Sequence, residues 1–398
     1  MELTARMLEN AALSRSAAAN SMVLLKNVRN TLPLRGEAPV KVAVFGIGQI
    51  YTVKGGTGSG DVNTLKSVNV LDGISACPGL EPDALLARRY RNWALENPNR
   101  CVEQMFHLPY HNNAEMPLQG LDLPYLAATN ECAIIVLSRV AGEGEDMAYG
   151  PGTLALSEEE TAIIDAVTAV FDKTVLVLNV PGFLEIAEAS RKVSAVVFMG
   201  LAGQEGGHAL CDVLTGAVSP SGKLTDTWPM AYSDYPSAAD YGTLHGNGNV
   251  VTSMGQTVEQ TNVPYADGIY VGYRYFDTFG TEVLYPFGYG LSYGAPVMTA
   301  CAAGLDGNTV TVTAEITNQS ETYPCRQVVQ VYASQPQGTL EQPKQILVTY
   351  AKTKELAPGA SETLHLSFPV TALASYDAQQ AAYVLGAGYY DIRVGSSS

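Results

Sequence analysis

The hydrophobic positions fall into two regimes along the chain. Before about residue 230 they come as unbroken apolar runs, at 42–45, 132–137, 175–180 and 195–199. Runs of that length without alternation are the mark of strands buried on both faces. Helical patterns lie between them. Residues 5–25, rich in Ala, Leu, Ser and Met, predict an opening helix that carries Leu13, Ala17 and Leu24. Ser157-Glu158-Glu159-Glu160 is a capping-box start for a helix through Phe171, with Ile163, Ile164 and Val167 on one face. A further helix is expected from Glu205 to Leu214, stopped by Gly216. Strand and helix in alternation predict an α/β layer on a mainly parallel sheet.

Beyond residue 308 the period becomes two. Val310, Val312, Ala314 and Ile316 alternate with polar residues, as do Leu364, Leu366 and Phe368, then Tyr390, Ile392 and Val394. Ala357-Pro358-Gly359-Ala360 is a type II turn sequence. Short alternating strands with such turns predict an all-β sandwich of immunoglobulin type. Between the regimes, residues 231–268 are polar and read as a surface excursion. Residues 270–293 are dense in Tyr, Phe and Gly. They suit a core segment joining two domains better than a sugar-stacking surface, because aromatic burial stabilises such junctions. The expected division is 1–230, a connecting segment 231–299, and 300–398.

Charge narrows the partners. The 398 residues hold 23 basic and 39 acidic side chains, a net charge of −16. Such a surface repels phosphate backbones and anionic membranes, so neither nucleic acid nor a membrane is an expected partner. A neutral sugar is indifferent to it, and a homo-oligomer stays open. No apolar run reaches transmembrane length and no signal-peptide pattern opens the chain, so a cytoplasmic location is expected. The six cysteines are scattered and read as free thiols of a reducing compartment, with a Cys301–Cys325 bridge as the alternative. His107 and His111 have a metal-like spacing, but Pro109 between them would break the helix that aligns such a pair. No metal is expected.

Two loops carry candidate chemistry. Residues 138–146, Ser-Arg-Val-Ala-Gly-Glu-Gly-Glu-Asp, follow directly on the apolar run 132–137. Open α/β sheets bind ligands beyond the carboxyl ends of their strands, which is where this loop would lie. Glu143 stands between two glycines, free to reach across a cleft. Glu143, Glu145 and Asp146, three carboxylates within four residues, repel each other, which raises the pKa of one of them, as a general acid requires. An ordinary acidic surface loop is the other reading. The second loop is Gly55-Gly56-Thr57-Gly58-Ser59-Gly60. It lacks the Lys-Ser/Thr of a phosphate loop and continues into Asp61, which repels phosphate. Gly46-Ile47-Gly48 supplies two glycines of a dinucleotide fingerprint, but Tyr51 stands in the third position. No nucleotide or other cofactor is expected; close approach of backbone to a ligand or another domain fits better.

Several separated stretches together resemble the second and third domains of family 3 glycoside hydrolases, the β-glucosidase and β-xylosidase family. They are Val23-Leu24-Leu25-Lys26-Asn27, the Gly55-Gly56 loop, Gly142-Glu143-Gly144 with Asp146, Gly203-Gln204-Glu205-Gly206-Gly207, and Ser221-Gly222-Lys223-Leu224 through Trp228-Pro229. The most specific are Tyr270-Val271-Gly272-Tyr273-Arg274-Tyr275 and Tyr285-Pro286-Phe287-Gly288-Tyr289-Gly290-Leu291-Ser292-Tyr293. The closing Gly388-Tyr389-Tyr390-Asp391 to Val394-Gly395-Ser396-Ser397 matches as well.

The resemblance implies an (α/β)6 sandwich over roughly residues 1–295, followed by a fibronectin-III-like domain. It implies Glu143 as the acid/base, with Glu145 the alternative, and Asp146, Arg139, Gly56 and Ser59 as substrate-binding residues. Tyr51, Tyr149 and His208 are further candidates for the pocket lining. Where the family often has Arg after the Asp of this loop, this chain has Met147. The family's nucleophile is an Asp in a Ser-Asp-Trp motif on a (β/α)8 barrel. No Ser-Asp-Trp occurs here, and Ser233-Asp234-Tyr235 only echoes it. A barrel takes about 250 residues, and no stretch offers eight strand–helix units. The expectation is therefore half of a retaining β-glycosidase acting on terminal β-linked glucose, from a permuted member. An absent barrel polypeptide is its partner, and the chain alone is inactive. A non-catalytic carbohydrate-binding or scaffold module is the alternative.

Overall fold

The computed structural model describes residues 4–98, 100–102, 110–112, 114–143, 147–241, 245–253, 256–262, 265 and 267–398. Helix α1 (Ala5–Ser21) is capped by Thr4, whose hydroxyl accepts from the Met7 N–H at 3.3 Å. The helix expected through residue 25 ends earlier, and strand β1 (Val23–Asn27) follows. Val23, Leu24 and Leu25 are all buried in succession. A strand with a core on each face buries adjacent side chains, whereas a surface helix buries one stripe.

The α/β layer then runs through β2 (Val40–Phe45), α2 (Val70–Ser75), β3 (Leu80–Pro82) and α3 (Ala84–Glu96). A small antiparallel ladder of β4 (Arg100–Val102) and β5 (Tyr110–Asn112) precedes α4 (Leu123–Thr129). There follow β6 (Cys132–Ser138), α5 (Glu158–Thr168), β7 (Thr174–Asn179), α6 (Ala187–Lys192), β8 (Ala195–Phe198) and α7 (Gly206–Leu214). The sheet order is β1-β8-β7-β6-β2-β3, parallel throughout except for β1 at the edge. Alternate residues face opposite cores. Phe45, Ile135 and Leu176 meet Leu86, Leu126 and Ile163 on one side; Val44, Ile134 and Val177 meet Ala19, Ile74 and Leu210 on the other. Truncating any of the larger ones to Ala is worth about 2–5 kcal/mol. The capping box of α5 is present, with Ser157 and Glu160 each bonding the other's backbone. The helix stops at Thr168, but Phe171 still packs edge-on against Phe45 at 6.1 Å. No helix among the described residues is long and apolar enough to cross a membrane.

The connecting segment belongs partly to this first core. Strand β9 (Trp228–Pro229) is followed by an outlying hairpin, β10 (His245–Ser253) with β11 (Gln256–Asn262), then α8 (Tyr273–Phe279) and β12 (Val283–Tyr285). β12 pairs with β9, and the buried Trp228 packs against Phe183, Phe198 and Tyr285. The all-β domain comprises β13 (Pro296–Asp306), β14 (Thr309–Asn318), β15 (Val328–Ser334), β16 (Ile346–Lys352), β17 (Ser361–Pro369), β18 (Ser375–Asp377), β19 (Ala382–Val384) and β20 (Asp391–Gly395). Its two main sheets, β13-β14-β17 and β16-β15-β20, bury the alternating residues Val312, Ile316, Leu366 and Phe368 against Val329 and Val331. Gly359 takes the left-handed φ of +75° that the turn requires. Cys301 and Cys325 are not bridged: Cys301 lies exposed on the edge strand β13, and Cys325 is a buried free thiol.

The two domains are joined by rings. Tyr273 stacks on Phe287 at 4.8 Å and meets Tyr332 of β15 edge-on at 5.9 Å. Gln330 donates to the Gly288 and Ser396 carbonyls.

Candidate active site

β2 and β6 are neighbours whose chain connections leave in opposite directions, β2 towards β3 and β6 towards β7. A crevice opens beyond the carboxyl ends of two such strands. The glycine-rich loop after β2 and the acidic loop after β6 both rise from it. Asn179, fully buried at the end of β7, ties them down. Its Oδ1 accepts from the Val53 N–H at 2.7 Å and from the Ser138 hydroxyl at 3.0 Å. Its Nδ2 donates to the Val53 and Gly200 carbonyls. Lys54 and Asp61 form an ion pair of 2.9 Å across the base of the glycine loop.

The two loops then run together as a short parallel pair. The Thr57 N–H donates to the Ala141 carbonyl at 3.2 Å, and Thr57 is bridged to Gly142. A Cβ on Gly142 would lie 2.2 Å from Thr57 Oγ1 and 2.3 Å from its nitrogen, so only glycine allows this approach. One on Gly56 would lie 2.9 Å from the Ala141 oxygen. Past this contact the Glu143 carboxylate accepts from the Ser59 hydroxyl at 2.6 Å and from the Ser59 N–H at 3.0 Å. Glu143 is exposed to solvent. Those two hydrogen bonds, the side-chain one first, hold its carboxyl below the ordinary glutamate value. The expected upward push from Glu145 and Asp146 falls on residues outside those described, as does Asp146 itself; the described neighbours act downward.

The other sequence candidates are placed as follows. Gly56 and Ser59 sit in the loop pair, Gly56 against Ala141 and Ser59 on Glu143. Arg139 was expected to touch substrate, and its geometry is against this. It is 7% exposed and forks onto Glu160 with two bonds of 2.7 Å, while Nε donates to the Thr153 carbonyl and Nη1 to that of Ser138. A guanidinium so occupied has nothing left to offer a sugar; it fastens the acidic loop to the start of α5. Tyr51 donates internally to the Ala94 carbonyl, and His208 pairs with Glu205 on α7. Tyr149 stacks on Tyr232 at 4.7 Å, and both hold Glu185, one by its hydroxyl and the other by its N–H.

Two cavities flank the acidic loop. One, of about 390 Å³, lies at the crevice between Gly48, Ser138, Arg139 and Glu160. Its wall includes Glu115, whose carboxylate accepts from the Ile47 N–H at 2.8 Å and which burial pushes up to about 8. The other, of about 440 Å³, is walled by Gly142, Phe183, Tyr232, Tyr235 and Tyr241. Met147 lines both, which puts an apolar thioether between them at the position following Asp146. Glu115, Asn179, Tyr232 and Tyr241 carried no motif that would have marked them in the sequence.

Residues 22–293 match the model of the glycosyl hydrolase family 3 C-terminal domain, and residues 327–398 match a fibronectin type III-like domain. A beta-glucosidase of Ruminococcus albus is 35% identical over 95% of this chain and 38% of its own length. An exo-alpha-(1->6)-L-arabinopyranosidase of Bifidobacterium longum is 32% identical over 97% of this chain and 47% of its own. The structure of beta-glucosidase 3B from Thermotoga neapolitana in complex with glucose superposes with a TM-score of 0.87, at 36% identity, over 99% of this chain and 53% of that one. The chain thus spans about half the length of the relatives it matches, or less.

Proposed function

This chain belongs to family 3 of the glycosyl hydrolases, and from that premise we propose that it is the acid/base half of a retaining β-glucosidase. Glu143 is the general acid/base, Asp146 shapes the pocket around it, and a (β/α)8 barrel outside this chain supplies the Asp nucleophile. The observation that carries the reading is Glu143 itself: a solvent-facing carboxylate on the loop after β6, steadied by Ser59 and seated by the close approach of Gly142 to Thr57.

A retaining glycosidase needs two carboxyl groups about 5–5.5 Å apart across the scissile bond. One attacks the anomeric carbon. The other donates a proton to the leaving oxygen, then takes one from the water that releases the sugar. With two hydrogen bonds from Ser59, Glu143 favours the charged form and is a poor proton donor. Closure of a barrel and sugar over the loop removes water and brings a second negative carboxylate near, and both raise its pKa. Division of the pair between two bodies thus keeps the acid unready until the site is complete. The names of the glucosidase relatives support terminal β-linked glucose as substrate; that of the arabinopyranosidase makes an arabinopyranoside the comparison sugar.

The test is reconstitution. The chain alone, free of any barrel polypeptide by intact mass, is expected to turn over neither aryl β-glucoside nor aryl α-L-arabinopyranoside. Adding a family 3 barrel polypeptide is expected to restore β-glucoside hydrolysis with a dependence on protein concentration. In that assembly Glu143→Ala should lower hydrolysis of disaccharides by about 10²–10⁴ and of activated aryl glycosides far less, with partial rescue by azide. Loss on Glu145→Ala with Glu143→Ala unaffected overturns the assignment. Turnover by the chain alone, abolished by Glu143→Ala, would place a nucleophile within these residues. Sugar binding that never yields turnover favours a carbohydrate-binding module instead.

A further inference from the structure

Helices α2 and α7 lie side by side on the face of the sheet away from α5. A Cβ on Gly73 would come 2.3 Å from the Gly207 carbonyl carbon, and one on Gly207 would come 2.0 Å from the Asn69 oxygen. The two backbones therefore touch at this point. Further on, a Cβ on Gly79 would meet Thr215 Cγ2 at 3.2 Å. Residue 73 is beside 207, residue 79 is beside 215, and both segments run the same way. Cys77 and Cys211 fall between these two contacts, each four residues beyond its glycine. The turn at the end of α2 holds Cys77 in place, its N–H donating to the Ile74 carbonyl at 3.1 Å. Cys211 is buried within α7, whereas Cys77 is partly open to solvent. Cys77 packs against the buried cluster that holds Cys211. Cys211 beside it holds Cys77 below the usual thiol range despite its burial, and Cys77 in turn pushes Cys211 up.

We propose that Cys77 and Cys211 form a reversible dithiol–disulfide site whose oxidant is a peroxide. Cys77 is the attacking sulfur, because it is the accessible one of the two, and the form in which it attacks is the thiolate. Its thiolate attacks one peroxide oxygen, the O–O bond breaks, and hydroxide leaves and takes up a proton as water. The Cys77 sulfenic acid so formed is attacked by Cys211, which gives up its proton. The S–S bond forms and a second hydroxide leaves as water. The two thiols lose two electrons, and the peroxide gains them. The remaining described cysteines lack this arrangement. Cys132 is buried in the sheet and pushed up to about 12, Cys325 is buried in the second domain and pushed up to about 11, and Cys301 stands alone on an exposed edge strand.

The bond would fasten the end of α2 to the middle of α7. α2 begins where the long loop carrying Ser59 ends, and that loop already leans on the α7 region through the Val68 N–H to the Gln204 carbonyl at 2.9 Å. Oxidation would thus pin the rear of the loop that holds Glu143, without touching the site itself.

The experiment uses the whole 398-residue chain. It is treated with hydrogen peroxide, alkylated with N-ethylmaleimide, digested without reduction and mapped by mass spectrometry. The expected result is a Cys77–Cys211 linked peptide, an intact mass lower by two hydrogens, and reversal of both by dithiothreitol. Oxidised protein should also melt at a higher temperature than reduced protein, a shift absent in Cys77→Ser and Cys211→Ser. Recovery of Cys77 as a sulfinic acid with Cys211 still alkylated overturns the proposal, as does linkage of either through another cysteine. The peptide map of the unmutated chain decides even if a serine variant fails to fold.

Discussion

The paired loops at residues 55–60 and 141–143 and the segment at 286–294 both use glycine to bring backbone within reach of something a Cβ would block. At Gly142 the obstacle is Thr57 of the first loop; at Gly288 it is the Gln330 side chain, which a Cβ would meet at 2.3 Å. What surrounds the two contacts differs. Ser59 and Glu143 stand in solvent beyond the first, and the rings of Tyr273, Phe287 and Tyr332 close over the second. Glycine sets how near two segments come; their neighbours decide whether the contact becomes a reactive site or a joint. Buried aromatic area stabilises a joint, whereas a carboxylate kept hydrated is free to act once a partner closes over it.

Substitutions at the two contacts should therefore have opposite signatures. In a barrel-containing assembly, Gly142→Ala should force the loops apart and lower kcat by about 10² or more, since a displacement of about 1 Å costs that much. Gly288→Ala should leave kcat within about twofold and cost about 1–3 kcal/mol of stability by overpacking, read from urea unfolding. Equal losses of activity in both variants would remove the distinction.

Arg139→Met tests whether the acidic loop has a structural stem of its own. Removing one partner of a buried ion pair leaves Glu160 uncompensated, at a cost of about 3–5 kcal/mol. KM should change little in the assembled enzyme if the guanidinium makes no sugar contact. A rise in KM without loss of stability would return Arg139 to the substrate.

The smallest effect is electrostatic. Ser59→Ala removes the hydrogen bond from hydroxyl to carboxylate and leaves that from the backbone N–H, so the Glu143 pKa should rise towards the ordinary glutamate value in the isolated chain, followed by carboxyl-carbon NMR. The sign follows from the depressed folded-state pKa. The stabilisation Ser59 brings is present above the unfolded glutamate pKa and is lost as pH falls through the lower folded value. The variant should therefore lose part of this dependence on the acid side. An unmoved titration would mean that Ser59 does not hold the carboxylate in solution.

Much was legible in the residues alone. The apolar runs became β2, β6, β7 and β8, the capping box opened α5, the Pro-Gly turn took its left-handed glycine, and the alternating runs became the second domain's sheets. These features depend on residues a few positions apart, where periodicity and local hydrogen bonding decide. The family was legible for the same reason: its motifs are local strings. Four things depended on the folded chain. Residues 23–25 became a strand because a sheet edge was waiting for them at β8. Arg139 turned inward because Glu160, at the start of α5, lay within reach. Glu143 titrates low because Ser59, from a loop 84 positions away in sequence, donates to it. The segments carrying Cys77 and Cys211 run side by side because Gly73 and Gly207 let α2 and α7 touch. Each is a contact between segments distant in sequence, set by the packing of whole elements, and no local period encodes which distant side chain will be the neighbour.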